Sequence, residues 1–79
     1  MTATWRYIVS VDRNPDGTET WGIRELHDLG DGKLAWSEDF IEPYGETREE
    51  LGESVRLMYG VIHDEYFDTS LDPPALAKP

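Results

Sequence analysis

Between Trp5 and Asp12 the chain alternates: Trp5, Tyr7, Val9 and Val11 share one side of an extended segment, and Arg6, Ser10 and Asp12 the other. A period of two, rich in aromatic and β-branched residues, predicts a half-buried strand. Asn14-Pro15-Asp16-Gly17 follows, with Pro15 preset for the first central turn position and Gly17 free to take positive φ. A type I turn closed by a glycine bulge then sets the hairpin. Pairing Asn14 with Thr18 puts Val11 opposite Trp21, Val9 opposite Ile23, Tyr7 opposite Glu25 and Trp5 opposite His27. The neighbouring register would turn Trp21 away from the apolar side of the first strand, because a one-residue slip reverses a strand's faces.

The second strand runs from about Thr18 to His27, and Asp28-Leu29-Gly30-Asp31-Gly32-Lys33 reads as the next hairpin loop. A third strand begins near Leu34. If Gly30 pairs with Lys33, His27 meets Trp36 and Ile23 meets Phe40, so all three tryptophans share one face. After Glu42-Pro43-Tyr44-Gly45-Glu46, the run Thr47-Arg48-Glu49-Glu50 forms a capping box. Leu51, Val55, Met58 and Ile62, extended by Tyr66, recur at helical spacing, which predicts an amphipathic helix from about Arg48 to Glu65. Gly52 and Gly60 cost it roughly 1 kcal/mol each relative to alanine, so the helix depends on docking. From Asp68 onward the chain has three prolines and little apolar mass, the composition of a disordered tail. The expectation is an α+β fold: residues 1–67 form a three-stranded antiparallel meander (β-β-β-α) with one C-terminal amphipathic helix packed on one sheet face, and residues 68–79 form the tail.

A chain of 79 residues without cysteine accommodates one small domain, and neither disulfides nor thiolate metal sites supplement its core. Seventeen acidic residues against seven basic ones give a formal charge of −10. That balance disfavours direct binding to nucleic acid and to anionic membrane surfaces, both of which call for a basic patch. No stretch approaches the roughly 20 apolar residues of a membrane span, and Met1-Thr2-Ala3-Thr4 lacks the features of a signal peptide. A cytoplasmic location is the expectation.

No catalytic or ligand pattern converges in the sequence. His27 and His63 are the only histidines and lack a spacing that would set two metal ligands on one helix face. Gly30-Asp31-Gly32-Lys33 departs from a phosphate loop, with His27 where the first glycine belongs and leucine after the lysine. Asp28 and Asp39 have the separation of the ends of a calcium loop, yet Gly30 and Gly32 occupy ligand positions between them. Paired carboxylates such as Glu38-Asp39, Glu49-Glu50 and Asp64-Glu65 are ordinary in so acidic a chain, and no serine sits in a nucleophile-elbow context. The reading is a non-enzymatic protein, with no catalytic, cofactor-binding or metal residues assigned.

What remains is surface. In a meander covered on one side, Arg6, Ile8, Ser10, Arg24 and Leu26 would form a free sheet face, and Leu57 and Val61 a second apolar strip on the helix. The first strand would be an unprotected edge, so the leading expectation is a protein-interaction module that pairs with itself as a homodimer or binds another protein. The alternative is an acidic inhibitor or nucleic-acid mimic, presenting Glu38, Asp39, Glu42, Glu46, Glu49, Glu50 and Glu53 to a basic protein groove.

The helix entry Gly45-Glu46-Thr47-Arg48-Glu49-Glu50-Leu51, after three strands, resembles that of HicB-like antitoxin domains. The resemblance spans roughly residues 5–65 in layout and about seven residues in motif. It implies an antitoxin-like, protein-binding role. The chain lacks that family's proline-glycine-cysteine segment before the helix, and only the very short Tyr66-Phe67 stands where a fourth strand would follow. The stretch from Trp36-Ser37-Glu38-Asp39 through Pro43-Tyr44-Gly45-Glu46-Thr47 is also similar to short uncharacterised proteins of bacteria and phages, from which no activity follows.

Overall fold

A computed structural model describes residues 4–78, so the reading of Met1-Thr2-Ala3 and of Pro79 lies outside it. Its strands are β1 (Thr4–Arg13), β2 (Glu19–Gly30), β3 (Lys33–Trp36), β4 (Tyr66–Asp68) and β5 (Ala75–Ala77), with one helix, α1 (Arg48–Tyr59), between β3 and β4. The strands form a single sheet in the order β3-β2-β1-β4-β5. β4 runs parallel to β1 and the other pairings are antiparallel. The expected three-stranded meander with a C-terminal helix is therefore corrected: the sheet is mixed and five-stranded, and the helix is the crossover into β4.

The first hairpin forms in the expected register, with Val11 opposite Trp21, Val9 opposite Ile23, Tyr7 opposite Glu25 and Trp5 opposite His27. Its turn is closed by Asn14 N–H donating to the Thr18 carbonyl at 2.8 Å, and Gly17 takes φ 89°. The second hairpin departs from expectation. Gly30 does pair with Lys33, but the register shifts between Asp28 and Gly30, so Trp36 lies opposite Leu26 and Ala35 opposite His27. One extra residue, Leu29, bulges out and reverses the facing of everything after it. Trp36 consequently packs on the opposite side of the sheet from Trp21, with its ring 4.8 Å from that of Phe67.

That reversal decides where the core sits. Ile8, Leu26 and Phe67 form a buried cluster with Leu34 against it, on the face expected to be free. The sheet curls around this side, bringing Leu34 of β3 and Leu76 of β5 to one small cavity with Leu26. β1 is paired on both sides at Val9–Val11 and is not the expected edge; the edges are β3 and β5. The segment from Asp68, expected as a disordered tail, supplies β5, which pairs Phe67 with Leu76.

The helix starts where the capping box places it: Thr47 is extended (φ −128°, ψ 165°) and its hydroxyl accepts from the Glu50 amide at 3.1 Å. It ends at Tyr59 rather than near Glu65, with Gly60 as C-cap. Among the described residues no helix is long and apolar enough to cross a membrane.

Candidate functional site

The helix lies over the sheet face that carries Trp21 and Ile23, yet only Met58 of its twelve residues is buried. Between helix and sheet runs an open groove of about 420 Å³, walled by Trp21 and Ile23 of β2, by Phe40, Ile41 and Pro43, and by Val55, Met58, Tyr59 and Ile62. Apolar side chains at helical spacing normally close against their sheet. Here Val55 keeps 48%, Ile62 45%, Tyr59 72% and Trp21 48% of their surface in solvent.

The loop wall is held by Arg24. Its Nε donates to the Ser37 carbonyl at 3.0 Å. Nη1 donates to Ser10 Oγ at 2.7 Å and to Asp12 Oδ1 at 3.0 Å, and Nη2 to Asp12 Oδ2 at 2.9 Å and to the Glu38 carbonyl at 3.2 Å. Every guanidinium N–H thus has an acceptor, which is what allows a cation only 5% exposed to be held inside a small domain. Its guanidinium carbon also lies 4.4 Å from the centre of the Phe40 ring.

Phe40 reaches that position because Gly22 has no side chain: a Cβ there would fall 2.5 Å from the ring. Ile41 N–H then donates to the Ile23 carbonyl at 2.7 Å, returning the chain to β2. Further on, Tyr44 N–H donates to Ser54 Oγ at 3.3 Å. Gly45 passes so close to the helix start that a Cβ would lie 2.4 Å from the Leu51 nitrogen. The acidic segment Glu42–Glu46 is thereby pressed against the acidic first turn of α1.

Of the residues expected on a free interface, Ile8, Ser10, Arg24 and Leu26 are buried within the fold and offer no free surface; Arg6 is exposed and bridged to Glu65 at 2.6 Å. Leu57 and Val61 do line a surface, a smaller groove of about 260 Å³ with Trp5, Arg6 and Tyr7. Glu38, Asp39, Glu42, Glu46, Glu49, Glu50 and Glu53 are all exposed. Glu53 is bridged to Arg56, which holds its carboxyl below the usual range. Asp39 and Glu42 flank the groove residues Phe40, Ile41 and Pro43 in the chain. Sequence reasoning did not single out Phe40, Ile41 and Pro43 as surface, because the unshifted register had placed Phe40 opposite Ile23 under the helix.

Elsewhere, Asp12 is held below the ordinary aspartate range by its hydrogen bonds to Arg24, and Asp68 by those from Ser70, with Arg13 adding to the effect. His27 stacks 6.5 Å from Trp5 with its Nε2 3.3 Å from Glu25, and Trp36 is not its neighbour across the sheet as expected. Among the described residues no three His, Cys, Asp or Glu side chains gather in a way that could hold a metal ion.

The chain exposes more surface than its mass requires. The accessible surface is 5877 Å², against roughly 4,900 Å² for a folded monomer of this mass. The radius of gyration, 13.5 Å, likewise exceeds the roughly 11.6 Å of a compact chain of this length. The surplus is comparable to the roughly 800 Å² that each partner contributes to a standard protein interface. Compared with family models, curated proteins and solved structures, the chain has no match.

Proposed function

We propose that this protein is a small non-enzymatic interaction module that binds another protein along the groove between α1 and the sheet. The observation that carries the reading is the solvent exposure of Trp21, Val55, Tyr59 and Ile62 along one continuous groove. Burying apolar surface at about 25 cal/mol per Å² is the main driving force the module has to offer, and contiguous apolar surface of this kind marks interaction sites on small domains. The groove is ready-made, since Arg24 and the capped helix fix its walls without a partner.

A photo-crosslinking residue at position 59, in the groove, tests the reading against one at position 31, in the exposed turn between β2 and β3. In cells that make the protein naturally, position 59 should give a defined adduct that excess wild-type protein competes away and the Val55→Asp variant does not. Equal adducts from both positions would defeat the reading. An antitoxin-like version keeps the same surface. It draws on the helix entry Gly45–Leu51 together with β4 following the helix, and it requires a toxic partner whose growth arrest is relieved by co-expression.

A further inference from the structure

We infer that the groove's occupant is a basic amphipathic segment of a partner protein, seating apolar side chains between α1 and β2 and setting lysine or arginine against Asp39 and Glu42. The inference rests on the interaction reading above and adds the chemistry of the partner.

Two observations select that occupant. The groove walls are almost wholly apolar, so the docking side chains must be apolar too. Two exposed carboxylates adjoin those walls along the chain: Asp39 precedes Phe40, and Glu42 lies between Ile41 and Pro43. Among the described residues no ion pair engages Asp39 or Glu42, and Arg6, Arg13, Arg24 and Arg56 are each bridged to other carboxylates. A second copy is the wrong shape of charge. In a two-fold dimer the same patch faces itself, which would set Asp39 and Glu42 against like charges on two chains that each carry −10. Like-charge juxtaposition suppresses a partner, and opposite charge recruits it.

The size of the site agrees. Twelve helical residues extend about 18 Å, the length of a three-turn partner helix reading its anchors at i, i+3, i+4 and i+7.

The test uses the full chain and two synthetic 18-residue helical peptides with identical leucine stripes, one flanked by lysine and one by glutamate. Binding is followed by fluorescence anisotropy of labelled peptide, with sedimentation velocity on the protein alone. The lysine peptide should bind at least tenfold more tightly than the glutamate peptide and weaken as salt is raised. Asp39→Lys with Glu42→Lys should reverse the preference, and Val55→Asp should abolish binding; an exposed valine makes that variant safe for folding, which circular dichroism checks. Equal binding of both peptides, lost in Val55→Asp, overturns the charge assignment and leaves the interaction reading intact. A dimer that dissociates in Val55→Asp overturns the charge assignment and replaces the other protein with a second copy as occupant. Lysine-peptide binding that ignores Val55→Asp overturns both, as does a monomer that binds neither peptide.

Discussion

Arg24 and Asp12 meet in a two-pronged ion pair, Nη1 to Oδ1 at 3.0 Å and Nη2 to Oδ2 at 2.9 Å, across the first hairpin. The remaining guanidinium protons tie Ser10 on β1 to the carbonyls of Ser37 and Glu38 beyond β3. One side chain therefore joins the inner face of the sheet to the loop that walls the groove. Lysine keeps the charge but brings three donors on a point cation in place of five in a planar fork. Arg24→Lys should leave at least two of these five acceptors unmet and lower stability by about 2–4 kcal/mol, read from the urea midpoint. A loss under about 0.5 kcal/mol would show that the network does not hold the loop.

Asp12, together with Asp68, sets an acid limit. Asp12 and Asp68 both titrate below the ordinary aspartate value in the folded chain, Asp12 chiefly through Arg24 and Asp68 chiefly through Ser70. The unfolded chain then binds more protons than the folded one in this range, so stability rises with pH. Their contribution is fully present above the unfolded value and disappears as pH falls through the folded one. Unfolding midpoints between about pH 6 and pH 3 should fall less steeply for Asp12→Asn and Asp68→Asn than for wild type. Because the other acids are common to all three proteins, a parallel set of curves would refute the assignment.

Much of the architecture was written in local pattern, and the rest depended on one residue and on distant pairings. The register of the first hairpin followed from Asn14-Pro15-Asp16-Gly17 and strict alternation, because a turn of defined length leaves one register that buries a whole face. The helix start followed from Thr47 and Glu50. Its end did not, since Gly60 terminates it while the apolar stripe continues to Ile62 and Tyr66. The second hairpin was misread at Leu29, a residue that Gly30 and Gly32 on either side of Asp31 give no means of locating as a bulge. That single shift moved Trp36 to the other face, and with it the core. β4 and β5 were illegible for a different reason: strands of three residues carry no period, and β5 has only β4 to pair with, whose own partner β1 lies more than fifty positions away. Arg24 was placed on a free interface face because a buried arginine shows itself only through acceptors, Ser37 and Glu38, that no spacing rule connects to it.

Gly22 is a position where the absence of a side chain has a definite job. A Cβ there would stand 2.5 Å from Phe40 Cδ1 and 3.0 Å from Cδ2, and the Arg24 guanidinium already lies over the ring, 4.4 Å from its centre. Since the obstacle is a ring and not a flexible chain end, Gly22→Ala should push Phe40 out of the groove wall at a cost of about 1–3 kcal/mol. Near-ultraviolet circular dichroism should change with it, because the ring's surroundings change. A variant with wild-type stability and spectrum would mean that Phe40 is free to move.

The helix provides the sharpest contrast between folding and binding. Met58 is 6% exposed and is the only buried side chain of α1, whereas Leu51 and Val55, on the same stripe, are 42% and 48% exposed. Truncating a buried methionine costs about 2–5 kcal/mol, and the lower end is expected here because the site opens onto the groove and can relax. Alanine at Leu51 or Val55 removes side chains that are only partly covered, and alanine's better helix propensity offsets part of the loss at Val55. Met58→Ala should therefore lower the urea midpoint by the equivalent of about 2 kcal/mol, and Val55→Ala by less than about 0.5 kcal/mol. If Val55→Ala were as damaging as Met58→Ala, the groove would be closed in solution and α1 would be spending its apolar stripe on the fold itself, leaving none of it for a partner.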